Sequence, residues 1–166
     1  MPLARHKWAM RLALFQPEIP QNVGTILRLA ACLETPVDII EPCGFVWSDR
    51  ALKRAGMDYA ELATVTLHAD WRTFLTARSE TSRLILLTTR ASQTYVDFAY
   101  RPDDILLFGQ ESAGVPPIVH DAADARLRIP LRQGLRSLNL AVSAAMVLGE
   151  ALRQTGGFPA SHTATE

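Results

Sequence analysis

Three stretches of the chain combine polar or charged residues with glycines in patterns that suit an anion or a cofactor. In the first, Asn22 is followed by Gly24 and Arg28. Asparagine is a favourable N-cap, glycine lets a ligand approach the backbone, and the arginine lies one turn beyond Gly24 on the same helix face. A helix N-terminus with a guanidinium nearby suits the phosphate of a nucleotide or of RNA. From the spacing alone, a capped helix with a surface salt bridge is the favoured alternative.

The second stretch is a glycine-rich loop that follows an apolar run. Gly109, Glu111 and Gly114 come directly after residues 105–108. Ligands of open parallel sheets bind beyond the carboxyl ends of the strands, so a cofactor is expected at this loop. Glu111 is suited either to accept hydrogen bonds from a ligand hydroxyl or to cap the following helix. The loop is not a nucleotide-binding P-loop, because Val115 and Pro116 stand where that motif requires lysine and serine or threonine.

The third stretch carries the densest positive charge in the chain. It has no acidic residue and contains four arginines, which are Arg126, Arg128, Arg132 and Arg136. This segment is a candidate phosphate patch, with a solvated loop as the alternative. Ser137 is predicted to cap the last helix, with Asn139 in its first turn.

The ends of three predicted strands can contribute to one pocket. A further apolar run ends at Leu87, Thr88 and Thr89. Gly109 and Pro130 occupy the corresponding positions at the ends of the predicted strands 105–108 and 127–129. Carboxyl ends of parallel strands meet at one edge of a sheet, so these three loops are expected to lie close together.

Composition excludes several other kinds of protein. The chain has 166 residues, 17 Lys and Arg against 17 Asp and Glu, and 48% hydrophobic residues, as in one ordinary globular domain. Two cysteines and four histidines lack the spacing of a disulfide framework, a zinc site or a catalytic triad. No signal-peptide core or membrane-length apolar run is present, which predicts a cytoplasmic protein. We expect a flexible extension at 1–9, a single domain over 10–158 and a flexible tail at 159–166.

Short apolar runs alternate with segments of helical period, and this pattern predicts an α/β fold whose mostly parallel sheet is covered by helices on both faces. The six predicted strands are residues 12–15, 37–40, 64–67, 84–87, 105–108 and 127–129. One helix is predicted directly after the first strand. Four further predicted helices cover 49–55, 70–78, 116–122 and 137 to about 154.

The last predicted helix is apolar around most of its circumference. A helix that packs on one sheet face needs an apolar stripe only about 100° wide. The excess apolar surface favours a second subunit against this helix, with a helix sandwiched inside its own fold as the alternative.

Taken together, these motifs resemble the SPOUT class of RNA methyltransferases, and most closely the small single-domain tRNA 2′-O-methyltransferases that act on the wobble nucleotide. The resemblance runs from about residue 11 to residue 158. Besides the three loops, it rests on four motifs at residues 17–20, 40–42, 44–47 and 54–59. It implies a C-terminal trefoil knot, an S-adenosylmethionine site formed by that knot, and a homodimer through the knot and the last helix.

The resemblance also implies roles for individual residues. Arg28 corresponds to the catalytic arginine, supported by Asn22, Glu111 and Asn139. The implied cofactor contacts are Leu87, Thr88, Gly109, Ile129, Ser137, Leu138 and Asn139. The implied RNA contacts are Arg28, Arg128, Arg132 and Arg136. The expected partner is the anticodon stem-loop of tRNA, and no DNA, membrane or metal is expected.

The implied reaction is in-line attack of a ribose 2′-oxygen on the sulfonium methyl group, so the enzyme mainly aligns donor and acceptor. Since a guanidinium stays protonated, Arg28 is suited to stabilise the developing alkoxide or hold a phosphate rather than to act as a base. Gln110 and Gly149 depart from many relatives, which have proline and an aromatic residue there. The alternative functions are a non-catalytic knotted RNA-binding module and a 2′-O-methyltransferase of ribosomal RNA.

Overall fold

The computed structural model describes residues 9–48, 50–51 and 61–160. The predicted helix at 49–55 and the motif at 54–59 lie outside these residues, apart from 50 and 51. The predicted extension and tail also lie outside, apart from residue 9 and residues 159–160.

Seven strands form one parallel sheet in the described part of the chain, in the order β3-β2-β1-β6-β4-β7-β5. Their bounds are β1 Arg11–Phe15, β2 Val37–Ile40, β3 Val65–His68, β4 Leu84–Leu87, β5 Gln93–Thr94, β6 Ile105–Phe108 and β7 Ala125–Arg128. The parallel α/β prediction is confirmed, and the strand count of six is wrong. The additional strand is β5, whose two polar residues pair with β7 and are too few to produce an apolar run.

The described residues form four helices between or after the strands. These are α1 Pro20–Cys32, α2 Trp71–Ala77, α3 Pro117–Ala122 and α4 Leu140–Thr155. The cap of α2 is confirmed, because Asp70 accepts a hydrogen bond of 2.7 Å from the backbone N–H of Thr73.

Two predicted helix starts are wrong by a few residues. Ile19, not Asn22, is the N-cap of α1, and Pro20 begins the helix with its fixed φ. Asn139, not Ser137, caps α4, since its Oδ1 accepts hydrogen bonds from the N–H groups of Ala141 and Val142 at 2.9 and 3.3 Å. Asn22 therefore lies inside the first turn of α1, and Asn139 is the N-cap of α4 instead of a residue of its first turn.

Apolar side chains fill both faces of the sheet, as a buried parallel sheet requires. The cluster on one face packs α1 and α4 against the strands, through residues such as Leu14, Val23, Ile26, Ala144 and Val147. The cluster on the other face packs α2 and α3, through residues such as Phe15, Phe74, Leu86, Leu107 and Val119. These helices hold the loops at the carboxyl edge of the sheet, which is the edge where the strands end.

Two buried ion pairs hold strands near the opposite, amino edge. Asp104, which is fully buried, accepts hydrogen bonds of 2.8 and 2.7 Å from Arg83. Asp38 accepts 2.7 and 2.9 Å hydrogen bonds from Arg11 and lies 2.8 Å from Nε2 of the buried His68. Both carboxylate oxygens are satisfied in each pair, which is the condition under which buried charges are tolerated.

One face of α4 remains exposed. Val142 is 48% exposed and Met146 38%, and Ala145 lies between them on the same side. This apolar stripe is open to solvent among the described residues, which contradicts the alternative that α4 is sandwiched within its own fold.

Candidate functional site

A cleft of about 810 Å³ lies at the carboxyl ends of the adjacent strands β6, β4 and β7. Its size is in the range of sites that enclose a cofactor-sized ligand. Apolar side chains and backbone groups from three loops line it together. The lining residues include all those for which cofactor contact was predicted, namely Leu87, Thr88, Gly109, Ile129, Ser137, Leu138 and Asn139.

The loop after β6 closes on itself at one wall of the cleft. Gln110 and Gly114 exchange two backbone hydrogen bonds, of 2.8 and 3.0 Å, and Gly114 has a φ of +63°. A Cβ at Gly109 would lie 2.6 Å from the carbonyl carbon of Gly114, which is far inside van der Waals contact. The two glycines therefore permit a pinched loop whose tip is residues 111–113.

Glu111 binds the start of α1. Its Oε2 accepts a 2.9 Å hydrogen bond from the backbone N–H of Glu18, and its Oε1 accepts bonds of 3.3 Å from the N–H of Ile19 and from Nδ2 of Asn22. Of the two roles considered for Glu111, capping of the following helix is wrong, because Glu111 holds a helix start from earlier in the chain. The anion at the start of α1 is therefore the chain's own carboxylate, and Gly24 is buried in the helix instead of facing a ligand.

Two asparagines continue this contact to the last helix. Nδ2 of Asn139 donates a 2.9 Å hydrogen bond to Oδ1 of Asn22, which is 7% exposed. Because Oδ1 of Asn139 caps α4, a continuous chain of side chains connects Glu111, the start of α1 and the start of α4. Buried polar networks of this kind fix relative positions when every member is satisfied.

A second carboxylate crosses between the same loops in the opposite direction. Oε1 of Glu18 accepts hydrogen bonds from the N–H and the hydroxyl of Ser112, at 3.1 and 2.6 Å. These two bonds lower the pKa of Glu18 below its ordinary value. Gln110 adds a third contact, a 3.2 Å hydrogen bond from its Nε2 to Oε1 of Gln16.

The surroundings of Cys43 disfavour its thiolate form. Burial raises the pKa of its thiol to about 11, and the carboxylates of Glu41 and Glu111 add to the effect. The thiol is therefore neutral at physiological pH, whereas the thiolate is the reactive form.

The described residues contain neither a metal-binding cluster nor a membrane-spanning helix. Within them, no group of three or more His, Cys, Asp or Glu side chains is arranged to hold a metal ion. None of the helices in the described ranges has the length and apolar character needed to cross a membrane.

The structure separates the predicted arginines. Arg136 lines the cleft, whereas Arg128 and Arg132 are exposed outside it. Arg126 is folded onto the carbonyl of His120 with contacts of 3.0 and 2.6 Å, so it serves the C-terminal end of α3 and is not available to a phosphate patch. Arg28 lies on the exposed side of α1 and is not among the residues that line the cleft.

Sequence reasoning missed the interlocking role of Glu18 and Ser112. Glu18 lies inside the motif at 17–20, and Ser112 lies inside the glycine-rich loop. The motifs were visible in the sequence, but contact between residues 94 positions apart was not.

Comparison with known proteins identifies the family. The model of the SpoU rRNA methylase family matches residues 9–149. The chain belongs to this family.

Individual relatives agree with that assignment and confirm the resemblance seen in the motifs. A protein of Beijerinckia indica called tRNA (cytidine(34)-2′-O)-methyltransferase is 61% identical over 89% of this chain and 92% of its own length. A chain solved in work on the 2-OH methylation of C/U34 on tRNA is 40% identical, with a TM-score of 0.83 over 89% of this chain and 97% of that one.

A more distant SpoU-type structure holds a cofactor. The AdoMet-bound rRNA methyltransferase of Sinorhizobium meliloti is 26% identical, with a TM-score of 0.79 over 89% of this chain and 57% of that one. The additional length lies outside the matched region, so the present chain corresponds to only part of that larger protein.

Proposed function

We propose that this SpoU-family protein transfers a methyl group from S-adenosylmethionine to the ribose 2′-hydroxyl of the wobble nucleotide in the tRNA anticodon loop, on cytidine, modified uridine or both. The observation that carries the proposal is the 61% identity to a tRNA (cytidine(34)-2′-O)-methyltransferase over nearly its whole length. The geometry supports it, because each of the three predicted stretches contributes to the lining of one cleft, through Asn22, Glu111 and Arg136 respectively.

The residues that line the cleft fit S-adenosylmethionine. Leu87, Ile129 and Leu138 offer apolar contacts for an adenine ring, and the pinched loop at Gly109 offers backbone groups at close range. When bound, this cofactor supplies a methyl group on a sulfonium centre with its own leaving group. The residues of the chain then have to bind the cofactor and the ribose, orient them relative to each other, and exclude water.

Asn22, Glu111 and Asn139 act together as the support of the site. Their hydrogen bonds fix the starts of α1 and α4 against the cleft, and all three line it. Both oxygens of Glu111 already accept hydrogen bonds from α1 and its preceding residues. Its role is therefore to hold position and not to accept the proton of the ribose hydroxyl.

Arg28 is the residue proposed to act on the substrate. It projects from the same helix that Glu111 and Asn22 hold, six residues beyond Asn22, which is about 9 Å along a helix. Its guanidinium stabilises the developing alkoxide or holds an adjacent phosphate, and a phosphate oxygen or water takes the proton.

The RNA surface extends from Arg28 to the segment that precedes α4. Arg128, Arg132 and Arg136 are exposed there and contribute positive charge next to the cleft. A neutral protein can bind a polyanion through such a local patch. The partner is the tRNA anticodon stem-loop, and the enzyme acts in the cytoplasm.

The C-terminal part of the fold is proposed to be a trefoil knot. β7 lies between β4 and β5, and the chain that joins these two strands bonds to β7 at both ends, from Thr88 to Leu127 and from Tyr95 to Arg128. The segment after β7 then returns to the cleft and starts α4. Such threading is rare among protein folds.

The exposed apolar stripe of α4 supports a homodimer through α4 and the knot. Val142, Ala145 and Met146 form this stripe, and a second subunit would cover them. Sedimentation at micromolar concentration should show a dimer, and a monomer there would contradict this part of the proposal.

The function is tested by incubating the protein with labelled S-adenosylmethionine and, in separate reactions, with total tRNA that lacks the modification and with ribosomal RNA. We expect label on the ribose of the wobble nucleotide. Cofactor binding without transfer would favour a non-catalytic RNA-binding module. Transfer only to ribosomal RNA would favour a 2′-O-methyltransferase of ribosomal RNA.

The Arg28→Lys variant should lose most of its turnover. Near-normal turnover with unchanged tRNA affinity would contradict the role of Arg28.

A further inference from the structure

Two loops at the cleft hold each other by reciprocal carboxylate contacts. Glu111, from the loop after β6, accepts a 2.9 Å hydrogen bond from the backbone N–H of Glu18. The Glu18 carboxylate reaches back and accepts hydrogen bonds from the N–H and hydroxyl of Ser112. Each loop thus supplies both a carboxylate and a backbone donor to the other, and this double contact is more restrictive than either one alone.

The outer half of this contact is exposed at the rim of the cleft. Ser112 is exposed and Glu18 is only partly buried. Because water competes for the same donors and acceptors at the surface, this exposed contact contributes little to the free energy of folding. The contact is nevertheless well placed to restrict a loop, because an ionised acceptor shortens and strengthens its hydrogen bonds.

The part of the loop restrained by Glu18 is its tip. The backbone pairing of Gln110 with Gly114 closes the base of the loop and leaves residues 111–113 projecting along the cleft. The side chains of Glu111 and Ser112 both bind the segment before α1, and Gln110 does so at Gln16. The base of the loop is therefore held by its own backbone, and its tip by the first motif.

We infer that Glu18 and Ser112 are positioning residues for the cofactor, which keep the tip of the 109–114 loop in the conformation that encloses it. This inference rests on the proposed function, since it assumes that the cleft binds S-adenosylmethionine. Ser112 lines the cleft and Glu18 does not, so Glu18 acts through Ser112. Loss of the contact leaves the loop present but less ordered, and the cofactor then has to order it on binding.

The test compares Ser112→Ala, Glu18→Ala, the double variant and the conservative Ser112→Thr. Calorimetry gives the Kd for S-adenosylmethionine, and initial rates give kcat and the KM for cofactor and for tRNA separately. We expect Glu18→Ala, which removes both hydrogen bonds to Ser112, to raise the Kd and KM for cofactor by about fivefold, with the KM for tRNA unchanged. Ser112→Ala keeps the backbone donor and should raise both by about threefold. The double variant should be no worse than Glu18→Ala, because the bond that Ser112→Ala removes is one of the two already lost. Ser112→Thr keeps the hydroxyl and should restore wild-type affinity.

Ser79→Ala is the matched control, because Ser79 is exposed in the loop before β4 and outside the cleft. Wild-type protein that fails to bind S-adenosylmethionine would contradict the proposed function itself. If the wild type binds but Ser112→Ala binds equally well, or if the two alanine effects add, the positioning role is wrong. A lowered unfolding midpoint with unchanged cofactor Kd would also overturn it, by showing a role in stability alone.

Discussion

Carboxylates have different partners at the two edges of the sheet. Near the amino edge, Asp104 and Asp38 are buried and paired with Arg83 and Arg11. At the carboxyl edge, Glu111 accepts hydrogen bonds mainly from the backbone of another loop. A guanidinium satisfies both oxygens of a carboxylate in place, whereas backbone donors make one loop depend on the position of another.

We infer that the carboxylates at the amino edge serve mainly the stability of the fold, and that Glu111 at the carboxyl edge serves mainly its function. An ion pair sealed between strands restrains the sheet where no ligand needs to enter. Glu111 instead holds the start of a helix beside the cleft, whose lining also includes Arg136. Variants near the amino edge should therefore affect unfolding, and variants at the carboxyl edge should affect cofactor binding and turnover.

The largest effect on stability is expected for Asp104→Ala. The side chain is fully buried and accepts hydrogen bonds from Arg83 and from the backbone N–H of Arg101. Its removal leaves a guanidinium without its counter-ion and should lower the free energy of unfolding by about 3 kcal/mol. Urea unfolding measures this, with the exposed Glu80→Gln as control. A loss no larger than that of the control would contradict the assigned role of the amino edge.

Glu111→Gln should instead reduce activity. Both oxygens of Glu111 accept backbone N–H groups, and an amide has only one acceptor oxygen. A shift of α1 of the order of 1 Å should lower kcat/KM by about 100-fold. The free energy of unfolding should fall by only about 1 kcal/mol. Steady-state kinetics and urea unfolding on the same samples check this. A variant that loses stability but keeps its turnover would contradict the functional role assigned to the carboxyl edge.

Gly109→Ala should weaken cofactor binding. The new methyl group would lie 2.6 Å from the carbonyl carbon of Gly114, so the pinched loop has to open. We expect the Kd for S-adenosylmethionine to rise about tenfold, which corresponds to about 1.4 kcal/mol. Gly149→Ala is a suitable control, since a Cβ there meets no atom within 4 Å in the subunit. Equal cofactor affinity in the two variants would show that the pinched loop does not shape the site.

The smallest effect concerns Glu150, on α4 away from the cleft. Hydrogen bonds from Arg153 and Gln154 lower its pKa from 4.5 to about 2. A lowered folded-state pKa stabilises the fold above the unfolded value and ceases to do so as the pH falls towards 2. The stability advantage of wild type over Glu150→Gln should therefore be a few tenths of a kcal/mol at pH 6 and decline below pH 4.5. Urea titrations across this range measure it, and a constant difference would contradict the pairing.

Much of the fold could be predicted because both faces of the sheet are buried. Strands such as Leu84–Leu87 and Ile105–Phe108 are continuous apolar runs, and their predicted bounds are confirmed. The short β5 has only polar residues and is held by β7, so its pairing is a tertiary effect. No local pattern could have indicated it.

At the site, residue types could be predicted more easily than partners. Asn22 and Asn139 suit a helix cap equally well, yet only Asn139 is one, because Pro20 starts α1 before Asn22 is reached. Asn22 is then available to join Glu111 to Asn139. The sequence placed all these residues at the loops, but which side chains bind each other depends on how the helices pack.

Hydrogen exchange with and without S-adenosylmethionine tests most directly the claim that the carboxyl edge alone forms the cofactor site. We expect binding to protect residues 87–90, 109–114 and 129–140, which form the three loops of the cleft. Residues 101–104 at the amino edge should show no change. Protection at the amino edge, or a 109–114 loop that stays unprotected, would contradict this claim.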